Sequence, residues 1–238
     1  MKRSICIAHL YPKEMNIYGD TGNRLILEKR LLWRGIDVTT HLVGIDDTIP
    51  NDVDIIIGGG GQDAGQSIVQ ADLQRKAAII QKLAKDGVVM LMVCGLYQLF
   101  GRRFVTVNNQ EIRGIGLLPL ETIAGNTRRI GNTLYQTEWG DVVGYENHSG
   151  KTQLDSTSTA LGTVVAGAGN NGIDKTEGCI IDNVFGTYSH GPVLSKNPTF
   201  ADELLARALT RKYGSADLTL LDDSLELAAA RVAKSRPR

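Results

Sequence analysis

An unbroken apolar run from Val88 to Val93 stops at Cys94-Gly95 and gives way to apolar residues at helical spacing, Leu96, Leu99 and Phe100. A strand with no polar face must be covered on both sides, which places it inside a parallel sheet. That requirement directs the chain toward an open α/β architecture. Cys94 then stands where the carboxyl end of a central strand turns into a helix, and ligands bind along that edge of such sheets. A tight strand-to-helix turn also pushes one side chain clear of the backbone, as in a nucleophile elbow. A buried structural cysteine would occupy the same position, so position alone leaves both readings open.

The rest of the first half repeats the pattern. Ser4 to Leu10, Val38 to Val43 and Asp54 to Ile57 read as strands. Thr21 to Trp33 and Ser67 to Lys85 read as helices closed by Gly35 and by Asp86-Gly87. Strand and helix in alternation build a doubly wound parallel sheet. After Arg103 the segments shorten. Ile115 to Leu120, Asp141 to Tyr145, Thr163 to Ala166, Gly178 to Ile181 and Val184 to Tyr188 read as short strands, several of them antiparallel. Helices follow at Phe200 to Tyr213 and Ser224 to Ala233, before a basic tail, Lys234 to Arg238, that reads as a solvated end. The expectation is one domain over residues 1–238, with a carboxy-terminal helix and tail from about 214. Its sheet should be open, mostly parallel, flanked by helices, with antiparallel additions in the second half.

Lys plus Arg balance Asp plus Glu at 26 each, so no bulk charge attracts nucleic acid. The three cysteines, Cys6, Cys94 and Cys179, have neither disulfide-framework nor metal-ligand spacing. The apolar stretch after Met1 is too short for a signal peptide, and no run is long enough to span a bilayer. These features lead us to expect a cytoplasmic protein without a membrane span.

Four glycines, Gly58 to Gly61, follow a buried strand. No Lys-Ser or Lys-Thr pair follows them, so they are not a phosphate-binding P-loop. Such a run serves as a tight turn, as a set of backbone N–H groups offered to an oxyanion, or as both. His190 ends a strand-like stretch just before Gly191-Pro192, and His148 lies in Glu146-Asn147-His148-Ser149. Either histidine suits a general base.

Taken together, the Gly58 loop, Cys94-Gly95 after a strand, and a late Tyr188-Ser189-His190-Gly191-Pro192 resemble a class I glutamine amidotransferase domain. The likeness is closest to the cobyric-acid-synthase-like branch, and within it to the small glutaminase subunits of enzymes that amidate lipid II. It spans about Ile5 to Tyr213, with Tyr11 to Asn23 and Gly144 to Thr152 among the matching stretches. The resemblance implies that Cys94 attacks the side-chain amide of L-glutamine. His190 would take the thiol proton and deliver it to ammonia. The amides of Gly60 and Gly95 would hold the oxyanion, Arg128 or its neighbour Arg129 the substrate α-carboxylate, and Gln98 would line the pocket.

Where many relatives in the wider superfamily carry a glutamate two residues after the histidine, this chain has Pro192. That implies a Cys–His dyad, or a triad completed by Glu146 or by a partner's carboxylate. Leu96 also replaces the glycine usual two residues after the cysteine. Amidating a carboxylate with ammonia requires an activated acyl group, and this chain carries no ATP-binding motif. The resemblance therefore implies no cofactor here, and a Mur-ligase-like synthetase partner (MurT) that binds ATP and Mg²⁺. Lipid II would reach the complex through that partner, at the inner face of the membrane.

Overall fold

A computed structural model describes residues 2–236. Met1, and Pro237 and Arg238 of the expected basic tail, lie outside the described residues. The first half runs β1 (Ser4–Leu10), α1 (Thr21–Trp33), β2 (Asp37–Val43), β3 (Ile55–Gly58), α2 (Asp63–Lys85), β4 (Val89–Val93) and α3 (Gly95–Phe100). The second half holds β5 (Arg103–Val105), β6 (Glu111–Arg113), β7 (Leu120–Thr137), β8 (Gly140–Leu154), β9 (Gly162–Ala166) and β10 (Thr176–Glu177). It continues through β11 (Cys179–Ile181), β12 (Val184–Thr187), a 3₁₀ turn (Val193–Lys196), α4 (Pro198–Tyr213) and α5 (Ser224–Ser235).

The first sheet has the order β11-β12-β4-β3-β1-β2. All its pairings are parallel except β11 with β12. All five residues of β4 are buried, as its unbroken apolar sequence requires. The ends of β12, β4, β3 and β1 therefore lie side by side on one edge of the sheet, and the loops that leave them share one crevice. The open, mostly parallel sheet with antiparallel additions is as expected.

The second sheet, β10-β9-β7-β5-β6, carries β8 against β7 as a long antiparallel hairpin. This hairpin was not expected at such length. Ile115 to Pro119, expected to begin a strand, is irregular instead: Ile115, Gly116 and Leu118 donate to the carbonyls of Leu99, Gly101 and Phe100 at 2.8–2.9 Å. The segment is tied to the end of α3, and β7 starts only at Leu120. The β7–β8 register shifts between Ala124 and Arg129, a bulge in the strand nearest the crevice.

At the far end, Arg30 is buried and forks its guanidinium between Asp202 of α4 and Asp223 ahead of α5. A buried guanidinium needs such complete pairing. No described helix is long and apolar enough to cross a membrane.

Candidate active site

Cys94 has φ +50° and ψ −100°, a conformation that costs a non-glycine residue about 1–3 kcal/mol. The surrounding structure enforces it. The Cys94 amide donates to Thr187 O at 2.8 Å, and Leu96 N to Gly59 O at 3.3 Å. The bulky residues around the turn fit because β3 ends in glycine. A Cβ on Gly58 would lie 2.2 Å from Leu96 Cδ1 and 3.2 Å from Met92 Sδ. Leu96, the departure from the usual glycine, thus occupies space that Gly58 leaves empty.

His190 follows β12. An isolated antiparallel bridge to Tyr145 of β8 fixes its backbone: His190 N donates to Tyr145 O at 2.8 Å, and Tyr145 N to His190 O at 3.3 Å. Its Nδ1 lies 3.2 Å from both carboxylate oxygens of Asp20. That contact leaves Nε2, which has no hydrogen-bond partner, as the nitrogen open to Cys94. A Cβ on Gly60 would sit 2.7 Å from His190 Cε1 and 3.1 Å from Cys94 Cβ, so imidazole and cysteine share one small space above a bare glycine. Burial opposes a charge on His190, but Cys94 and Asp20 outweigh it and raise the imidazole above its ordinary range.

Asp20 is the carboxylate that Pro192 leaves to be found, and sequence reasoning missed it. It lies in the loop after β1 and is 3% exposed. The rule that placed Cys94, the glycine loop and His190 on strand ends applies equally to this fourth neighbouring strand. Glu146, the internal candidate, is engaged elsewhere, accepting from the amides of Ala168 and Gly169 at 2.9–3.0 Å. Gly60 departs from expectation too: its N–H donates to Asp20 Oδ2 at 2.8 Å and so orients the carboxylate rather than facing a substrate oxyanion. The next amide, Gly61 N, lies 3.0 Å from where a Cβ on Gly95 would be. Gly61 lines the cleft together with Cys94.

A cleft of about 390 Å³ opens over Cys94, walled by Gln98, Arg128, Asn147 and His148. Arg128 stands within the β7 bulge, donating from Nε to Asn147 Oδ1 at 2.6 Å and from Nη2 to the Tyr18 hydroxyl at 2.8 Å. The Tyr18 ring packs against His190 with centroids 4.4 Å apart, linking the two sides of the site. Arg129 turns the other way, to Asn171 O at 2.6 Å. Of the two arginines, only Arg128 lines the cleft.

Gln98, buried one turn beyond the cysteine, also lines it. His148 reaches the same wall but is built as a neutral ring. Its Nδ1 faces Gly150 O at 2.9 Å, its plane stacks on Tyr188 at 3.7 Å, and burial pushes it down to about 3. It has no carboxylate partner, which favours His190 over His148 as the base. Burial pushes the thiols of Cys6 and Cys179 up to about 11 and about 12, so neither suits a nucleophile. Among the described residues, no group of three or more His, Cys, Asp or Glu could hold a metal ion.

Comparison with known proteins follows the same direction. The family model for the CobB/CobQ-like glutamine amidotransferase domain matches residues 6–198. Over 212 residues the chain is 42% identical to the GatD subunit of the glutamine-hydrolyzing lipid II isoglutaminyl synthase of Streptococcus pneumoniae, covering 87% of this chain and 82% of that one. Over 230 residues it is 34% identical to the Staphylococcus aureus GatD subunit, covering 96% and 94%. A solved glutamine amidotransferase from Thermotoga maritima shares the fold, with TM-score 0.54 at 14% identity over 97% of this chain and 93% of that one.

Proposed function

The chain belongs to the CobB/CobQ-like glutamine amidotransferase family, and we propose that it is the glutaminase subunit of an enzyme that amidates lipid II. The observation that carries the reading is Cys94 and the open Nε2 of His190 sharing one space above Gly60, with Asp20 behind the imidazole.

In this reading Arg128 holds the α-carboxylate of L-glutamine, and the side-chain amide reaches Cys94. His190 Nε2 already holds the proton taken from the thiol when the Cys94 sulfur bonds to the amide carbon, while Asp20 holds the Nδ1–H and steadies the imidazolium. The amides of Gly95 and Gly61 stabilise the oxyanion. Collapse of the tetrahedral intermediate breaks the C–N bond. His190 returns the proton to the departing nitrogen, leaving ammonia and a γ-glutamyl thioester on Cys94. Water, activated by His190, then releases glutamate.

Ammonia cannot amidate a free carboxylate without activation. The acceptor is the α-carboxylate of D-glutamate in the lipid II stem peptide, activated as an acyl phosphate by a Mur-ligase-like partner that holds ATP and Mg²⁺. The pair works at the inner face of the membrane. The test is a lipid II amidation assay with the synthetase, run with either glutamine or ammonium as nitrogen source. Cys94→Ser should lose the glutamine-dependent reaction and keep the ammonium-dependent one. Unchanged glutamine-dependent amidation would refute the assignment.

A further inference from the structure

A buried chain of hydrogen bonds crosses from the cysteine turn to the second sheet, and it begins at a residue that lines the cleft but takes no part in the steps above. Gln66, on α2 and 1% exposed, donates from Nε2 to the Gly95 carbonyl at 3.0 Å and to Gln98 Oε1 at 2.7 Å. A backbone carbonyl can only accept, so the group facing it is the NH₂, and the direction of donation is set there. The Gln98 amide inherits that direction. Gln98 donates from Nε2 to the Tyr188 hydroxyl at 3.0 Å. The Tyr188 hydroxyl shares a hydrogen bond with Thr152 Oγ1 at 2.6 Å, and Thr152 Oγ1 shares another with Thr122 Oγ1 at 2.6 Å.

No member of the chain is more than 4% exposed. It leads from α2 through α3 and the end of β12 to β8 and β7. Gly150 leaves the room for it: a Cβ there would lie 2.6 Å from Gln98 Nε2 and 2.8 Å from the Tyr188 hydroxyl. The Tyr188 ring also supports His148 on the wall of the cleft. The chain matters because α3 is only six residues long and Cys94 gives it no side-chain cap. So short a helix has little stability of its own.

We propose that Gln66 is a positioning residue for glutamine hydrolysis: by gripping the Gly95 carbonyl and Gln98 together, it sets the first turn of α3, and with it the Gly95 amide, against the hairpin that carries Arg128. The proposal rests on Cys94 being the glutaminase nucleophile. A fixed chain of this kind holds the amide in place before the oxyanion forms, so it acts on the chemical step more than on binding.

The test uses the full chain with its synthetase partner, as wild type, Gln66→Met, Tyr188→Phe and the double variant. The first keeps length and loses every hydrogen bond; the second removes one oxygen and keeps the ring on His148. Ammonia release gives kcat and KM. Alkylation of Cys94 is followed with iodoacetamide and with 6-diazo-5-oxo-L-norleucine. Losing a buried bond and stranding its partner lowers kcat by about tenfold in each single variant, with KM moving less than about threefold.

The double variant should be no slower than Gln66→Met, because both changes cut one chain. Iodoacetamide should react at the wild-type rate and the glutamine analogue about tenfold more slowly. Wild-type kcat in Gln66→Met, or losses that multiply in the double variant, would overturn the proposal. Should Gln66→Met fail to fold, wild-type kcat in Tyr188→Phe would overturn it alone. A wild type that releases no ammonia from glutamine would overturn the parent assignment and this inference together; an active wild type with unaffected variants would overturn only this inference.

Discussion

Replacing Asp20 by Asn isolates the role of the carboxylate behind His190. The side chain keeps its shape and can still accept from Gly60 N through one oxygen. The other end becomes an NH₂ facing His190 Nδ1, where a carboxylate oxygen stood at 3.2 Å. The remaining oxygen, also 3.2 Å from Nδ1, still accepts from the imidazole while the new NH₂ competes for the same nitrogen. The negative charge that steadies the imidazolium is lost. The loss of one charge-assisted hydrogen bond is about 1.5–3 kcal/mol, which corresponds to about 10- to 150-fold in rate. Because Asp20 lies behind the imidazole and not on the wall of the cleft, KM should move less than about threefold. The assay is glutamine-dependent ammonia release by the intact complex, with thermal unfolding as a control for folding. A folded Asp20→Asn variant with wild-type kcat would refute the reasoning. Glu146→Gln is the contrasting variant: its carboxylate holds the Ala168 and Gly169 amides, so it should lower stability more than it slows the chemistry.

Arg128→Gln should raise KM for glutamine by about 10- to 100-fold through loss of a charge-assisted carboxylate contact, while Arg129→Gln, directed at Asn171 O, changes it little; steady-state kinetics of both variants decides between the arginines. Gly58→Ala should cost about 1–3 kcal/mol by overpacking, because its Cβ would meet Leu96 Cδ1 at 2.2 Å. Leu96→Ala should cost less in the Gly58→Ala background than it does alone, and strictly additive costs in urea unfolding would contradict the packing argument. Burial holds His9 at about 4 and His148 at about 3, both below the unfolded value near 6.5. Their contribution to stability is complete above that unfolded value and falls as pH drops toward the folded values. Each histidine then removes about 1.4 kcal/mol per pH unit. Urea unfolding from pH 7 to 4 should show a shallower loss in His148→Gln than in wild type; equal slopes would count against a neutral buried ring.

The elements around the cysteine were legible because parallel strands buried on both faces leave apolar runs no loop would carry. β1, α1 and β4 fall where the sequence indicates, within a residue. The β7–β8 hairpin was not legible. Its inward face is built partly from polar residues, Thr122, Thr133, Glu146 and Thr152, which the fold buries but which do not read as core, and its pairing is supplied by a partner strand that no local pattern announces. The same contrast governs the site. Cys94 and His190 stand at ends of recognisable strands. Asp20 and Tyr18 arrive from a loop whose shape is set by tertiary contact, and Gln66 sits on a helix face that reads as ordinary polar surface until the fold buries it.

The central claim is that glutamine becomes covalently attached to one sulfur. Acid-quenching the complex during turnover with glutamine, followed by peptide mass spectrometry, tests it directly. The account predicts a γ-glutamyl adduct on the peptide holding Cys94, removed by hydroxylamine and missing in Cys94→Ala. Ammonia release that continues in Cys94→Ala, with no adduct in the wild type, would contradict it.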